Sequence, residues 1–146
     1  MKAMDLAYYI VKVAYDMNKP VSNLEMLKIL YFLHRDFSNN DARFIHDEEF
    51  QAWPYGRVIP SVYFEFSINA ARPIVPPINY REGRIDPNIN GKLREAIQFY
   101  ASKTPWDLVG LSHVEGGAWH RACNDKRLIL DQKDILNEKA SHGARW

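Results

Sequence analysis

The residues best equipped for chemistry lie in LSHVEGGAWHRA, positions 111–122. His113, Glu115 and His120 are all types that ligate zinc or manganese, and a metal held there would make the chain a metal-dependent enzyme. The spacing opposes that reading. It is not HExxH, and no single helix aligns two histidines across Gly116 and Gly117. Ser112 and Glu115 also have the spacing of a capping box, which gives the glutamate a structural task. Ser112 beside His113 invites a nucleophile with its base, but no G-x-S-x-G elbow surrounds them. His46-Asp47-Glu48-Glu49 reads as a solvated loop face. No GxxxxGK[ST] or GxGxxG occurs, so no phosphate cradle is expected. The expectation is a non-enzyme with no catalytic residue, metal or cofactor.

A different signal sits at AWPYGRVIPSVY, residues 52–63. Trp53, Tyr55 and Tyr63, with Phe64, Phe66, Trp106 and Trp119, exceed what a core of this size needs. Large aromatics dominate burial, yet Trp and Tyr are also the residues that anchor partner surfaces. Pro54, Gly56 and Pro60 would hold such rings on a stiff loop and lower the ordering cost of association. The sequence leaves open which rings are core and which are interface.

The elements that must carry these residues are mostly helical. Ala3, Leu6, Ala7, Ile10, Val13, Ala14 and Met17 recur at three- and four-residue steps, and Asn18-Lys19-Pro20 ends that helix. Ser22 and Glu25 form a second capping-box pattern ahead of LEMLKILYFLHRDF, apolar around most of its circumference and therefore central. Its polar strip is Glu25, Lys28 and Arg35. SNNDARFIHDEEF reads as loop, Gln51–Trp53 as extended and Pro54-Tyr55-Gly56 as a turn. Pro60 opens a third helix through Val62, Tyr63, Phe66 and Ala70, ending near Arg72-Pro73. The proline-rich segment 73–88 is non-helical, with a short β pairing admitted there or with residues 50–53. Ile89 to Ala101 gives a fourth helix; Thr104-Pro105-Trp106-Asp107 caps a fifth. Ala118 to Cys123 makes a turn or two, and Asp131 caps a last helix over about 131–139. The fold class is mainly α: one compact domain, residues 1–146, of about five to six helices, with a short β-hairpin or extended segments in the middle.

Composition bounds the partners. The chain has 146 residues, 47% hydrophobic and 25% charged, with net charge +1. Neither half carries a strong field, which argues against broad phosphate-backbone binding. Arg81, Arg84, Arg121, Lys126 and Arg127 with Tyr80 or Trp119 could form a small patch, but nucleic acid is not the expected partner. Cys123 is alone, so no internal disulfide forms. No stretch approaches a membrane span, and the N-terminal apolar run is broken by Lys12. A cytoplasmic, soluble protein is expected; no oligomeric state follows from the residues.

Three motifs occur in order over about residues 3–123. MDLAYYIVKVA with KPVSNLEMLKILYFLH resembles the opening of Panacea (SocA-like) domains, first known as phage-associated proteins. EEFQAWPYGRVIPSVYFEF is similar to their central motif, and LSHVEGGAWHRA to their late histidine–acid–tryptophan motif. Two departures are Arg57, where members often have proline after the motif glycine, and Ala118, where proline often precedes the tryptophan. The resemblance implies an antitoxin of a toxin–antitoxin system that neutralises a co-encoded toxin by direct binding, without catalytic residues. Some members add a helix-turn-helix for DNA; none is expected here. On that footing, Trp53, Tyr55, Arg57, Tyr63, His113 and Trp119 are candidate contacts, with Pro54, Gly56, Pro60, Ser112 and Glu115 as structural motif residues. The alternatives are an adaptor delivering the toxin to a protease, and the metal-dependent enzyme on His113, Glu115 and His120.

Overall fold

Helix α2 (Asn23–Phe37) forms where a start signal meets an apolar surface. The Ser22 hydroxyl accepts from the Glu25 amide at 3.3 Å, and Glu25 Oε1 accepts from the Ser22 amide at 3.1 Å, completing the expected capping box. Met26, Leu27, Ile29, Leu30, Tyr31, Phe32 and Leu33 are all buried. Such a helix must be covered over most of its circumference. It is: α1 (Ala3–Asp16), α3 (Pro60–Phe66), α4 (Pro87–Ala101), α5 (Pro105–Ser112), α7 (Gln132–His142) and strand β2 (Gly56–Val58) all pack against α2. The computed structural model describes residues 1–144 and 146. Over these residues the protein is mainly α, a single compact domain with seven α-helices, one or two more than the sequence pattern suggested. The added one is α6 (Ala118–Asn124), which develops fully after the double glycine.

Helix ends follow local chemistry. Past α1, Asn18 adopts φ 60°, and Asn18 N and Lys19 N donate back to Tyr15 O and Ala14 O, a left-handed stop formed before Pro20 is reached. Thr104 caps α5 and Asp131 caps α7 through their side-chain oxygens, as expected. Helix α3 is shorter than its pattern suggested. It ends at Phe66, a 3-10 turn covers Ser67–Asn69, and Ala70 is exposed at φ 51°. Among the described residues, the segment 73–88 makes no strand. It is tied down by Ile74 N donating to Val21 O at 2.8 Å and contains a 3-10 turn at Glu82–Arg84.

The β pairing is the hairpin of β1 (Gln51–Trp53) with β2, in the register Gln51–Val58, Ala52–Arg57, Trp53–Gly56. Gly56 has φ 129°, a conformation that side-chain-bearing residues rarely adopt, and this fixes the Pro54–Tyr55 turn. The outer edge of β1 is not left bare. Ala52 N donates to Leu128 O at 2.7 Å and Leu130 N to Phe50 O at 3.0 Å. None of the described helices is long and apolar enough to cross a membrane.

Candidate partner-binding site

The hairpin and α3 bring three of the candidate residues, Trp53, Tyr55 and Tyr63, to one face. Trp53 packs edge-on against Tyr63 with ring centroids 5.3 Å apart, and against Tyr55 at 5.9 Å. Trp119 Nε1 donates to the Trp53 carbonyl at 2.9 Å, so α6 holds the strand from the far side. Trp53, Tyr63 and Trp119 are therefore half-buried supports, and Tyr55 is the ring held outward, 47% exposed at the turn. Phe64 extends the aromatic surface at 64% exposure. Tyr55 also separates two hollows. One, about 300 Å³, is walled by Leu24, Pro54, Val109 and Trp119. The other, about 260 Å³, lies toward Asn23, Tyr63 and Ala70. His113 is exposed on the rim of the first, just past the end of α5.

Arg57 does not belong to the exposed face. Its side chain is directed inward and only 7% of the residue is exposed. The guanidinium donates to Ser112 O at 2.8 Å and to Glu138 Oε1 at 3.0 Å, and lies 4.3 Å from the Tyr31 ring centroid. Glu138, on α7, is the hub. Its Oε2 accepts from Tyr31 Oη at 2.8 Å and from Arg35 Nη1 at 3.3 Å. Arg35, on the polar strip of α2, is thus buried as well; its Nε pairs with Asp36 Oδ1 at 3.0 Å. Tyr100 donates to Asp36 Oδ2, and Trp146 Nε1 reaches the same oxygen at 3.1 Å. Two buried cations thus face two buried anions, the condition for tolerating charge in an apolar interior. Burial pushes the Tyr31 and Tyr100 hydroxyls up, so both remain protonated donors.

The same hub explains a glycine. A Cβ on Gly117 would collide with Glu138 Oε1 and crowd Val114 O at 3.1 Å. The double glycine of the late motif leaves room for a carboxylate 21 positions further along the chain. Gly117→Ala is expected to cost about 1–3 kcal/mol by displacing that carboxylate. Urea unfolding followed by circular dichroism measures this, and a change below about 0.5 kcal/mol would contradict the steric account. The capping box expected of Ser112 and Glu115 does not form. Ser112 closes α5 and its hydroxyl donates to Val109 O at 2.7 Å, while Glu115 sits exposed in the following turn. The reason is that the helix after the double glycine starts at Ala118, too far along for Ser112 to be its cap. His120 Nδ1 accepts from Gly116 N at 3.2 Å, and among the described residues no group of three His, Cys, Asp or Glu side chains is placed to hold a metal.

Comparison with known proteins adds the lineage. Residues 26–120, well over half of the chain, match the family described as "Antitoxin SocA-like, Panacea domain". The chain belongs to this family. The Panacea match runs from α2 to the first turn of α6, so it includes the hairpin, Arg57 and the double glycine, and it stops short of Glu138. The chain is also 29% identical over 115 residues to antitoxin SocA of Caulobacter vibrioides (strain NA1000 / CB15N), an alignment covering 72% of this chain and 61% of that protein. The chain thus spans about three fifths of the length of that relative. No solved structure matches.

Sequence reasoning found the extended residues 51–53, the Pro54-Tyr55-Gly56 turn and the aromatics around it because turn chemistry and ring content are local signals. The pairing of 51–53 with 56–58, rather than with the segment 73–88, came from the structure. It missed Glu138, Arg35, Asp36 and Tyr31. The one signal was Arg57 itself, a charged residue between Gly56 and an apolar pair, which asks for a buried counter-charge.

Proposed function

We propose that this Panacea-domain protein is an antitoxin that neutralises a toxin protein by binding it, without catalysis, in the cytoplasm. The observation that carries the reading is the exposed Tyr55 ring on a hairpin fixed from beneath by Arg57 and from behind by Trp119, in a chain of an antitoxin-like family. A rigid aromatic anchor gives contact area at a reduced ordering cost on association. Trp53 and Tyr63 hold that anchor; His113 and Trp119 line the hollow beside it. Arg57 acts as the strut below, so Arg57→Ala would confound binding with folding and Tyr55→Ala is the cleaner test.

The experiment expresses the adjacent open reading frame alone and with this protein, then measures binding of the two purified chains. Growth arrest relieved by co-expression is expected. Tyr55→Ala should weaken binding by about 2 kcal/mol or more, roughly 30-fold, with the melting temperature unchanged. A harmless neighbour that does not bind the protein would overturn the reading, and full affinity of Tyr55→Ala would remove Tyr55 as the anchor. Occlusion by binding also predicts that the toxin's half-life is the same with and without this protein, whereas delivery to a protease would shorten it.

A further inference from the structure

The hollow between the hairpin turn and α5 has apolar walls and a positive floor. Leu24, Pro54, Tyr55, Val109 and Trp119 form the walls. Lys28 and Arg57 are the charged residues lining it, and it has no acidic lining residue. Arg57 is already answered by Glu138. Lys28 is not answered: it is half-buried and makes no ion pair among the described residues. Glu25, one turn earlier on α2, is the carboxylate with some influence on it, and Glu25 Oε1 is occupied by the Ser22 amide in the capping box. Partial burial, and then the neighbouring Arg57 charge, hold the Lys28 ammonium below its usual range. A cation in that position is under-compensated in the free protein, and an anion arriving from outside would relieve it.

We infer that this hollow receives an acidic side chain of the toxin, Asp or Glu, seated on the Lys28 ammonium with an adjacent apolar residue against Tyr55 and Leu24. The inference rests on the antitoxin reading above and specifies the partner's chemistry at that site. Charge complementarity selects the acid. The volume of about 300 Å³ suits one or two side chains, and Leu24 and Tyr55, both exposed at the rim, give the neighbouring apolar residue a place to lie. Association would remove the Lys28–carboxylate pair from water, where such pairs count most.

The test uses the full chain and the purified product of the adjacent open reading frame, with affinity measured by calorimetry. Lys28→Met keeps the aliphatic stem and removes the charge; it should weaken binding about tenfold or more. Lys28→Glu should weaken it further, and one Asp→Lys or Glu→Lys reversal in the toxin should restore binding to Lys28→Glu while impairing binding to the unmodified protein. Because Lys28→Met removes a poorly solvated charge, its melting temperature should be equal or higher. Unchanged affinity of both Lys28 variants overturns this inference and leaves the antitoxin reading standing. Failure of the unmodified protein to bind overturns both. Loss of binding that no toxin reversal restores also overturns the assignment of an acidic side chain.

Discussion

Glu138→Ala is expected to lower the unfolding free energy by about 3–5 kcal/mol, the cost of removing one partner from a buried ion pair. The substitution strips the anion from Arg57 and Arg35 together and leaves the Tyr31 hydroxyl without its acceptor. Glu138 is 3% exposed, so water does not readily replace the lost carboxylate. For a domain whose total stability is on the order of 5–15 kcal/mol, this is a large fraction. Chemical and thermal melts followed by circular dichroism measure it. Glu138→Gln keeps the shape and an acceptor oxygen and should fall between the two. A loss under about 1 kcal/mol for the alanine variant would show that the arginines find other partners. On the proposed antitoxin reading, the loss reaches the binding face indirectly. Arg57 ties β2 to α5 through Ser112 O and to α7 through Glu138, so releasing it frees the platform on which Tyr55 stands.

The second large effect is acid sensitivity centred on His34. Its Nδ1 accepts from the Ile45 amide at 3.1 Å, so the ring proton resides on Nε2, which faces Gln132 Oε1 at 3.1 Å. A second proton would set two donors against each other at Ile45. Burial first, and then the Arg43 charge, lower the His34 pKa to about 4, although the Gln132 contact opposes this. The unfolded chain binds a proton near the ordinary histidine value of about 6.5. With the folded value below the unfolded one, the stabilisation is complete above about pH 6.5 and is lost as pH falls toward 4. Between pH 7.5 and 4.5 this one residue is expected to withdraw about 2.5 kcal/mol. Urea unfolding at the two pH values, for the protein and for His34→Gln, isolates the term. The variant should lack that part of the slope; identical slopes would refute the assignment. Gln132 is the first residue of α7 and Glu138 lies in its middle, so His34 and Arg57 fasten the same helix at two points.

What the sequence determined by itself was local. Apolar residues at helical spacing placed α1, α2 and α4, because a stripe that must be buried repeats every turn. The Ser22–Glu25 pair, Thr104, Pro105 and Asp131 marked helix starts, because a cap satisfies amides two or three residues away. Pro54-Tyr55-Gly56 marked a turn, because proline and glycine are the residues that reverse a chain locally. The ordered motifs indicated the family.

Only the tertiary structure decided which charges are buried. QKDILNEK looks like a solvated helix, yet its glutamate is the hub of the core, paired with residues 81 and 103 positions away in the chain. A counter-charge supplied across such a distance leaves no periodic trace. Ser112 and Glu115 satisfied a capping pattern on paper, but the chain turned before the second helix began. The aromatics divided for the same reason. Trp53, Tyr55 and Tyr63 are alike in type and close in sequence, and only the packing of α3 and α6 against the hairpin leaves Tyr55 outside.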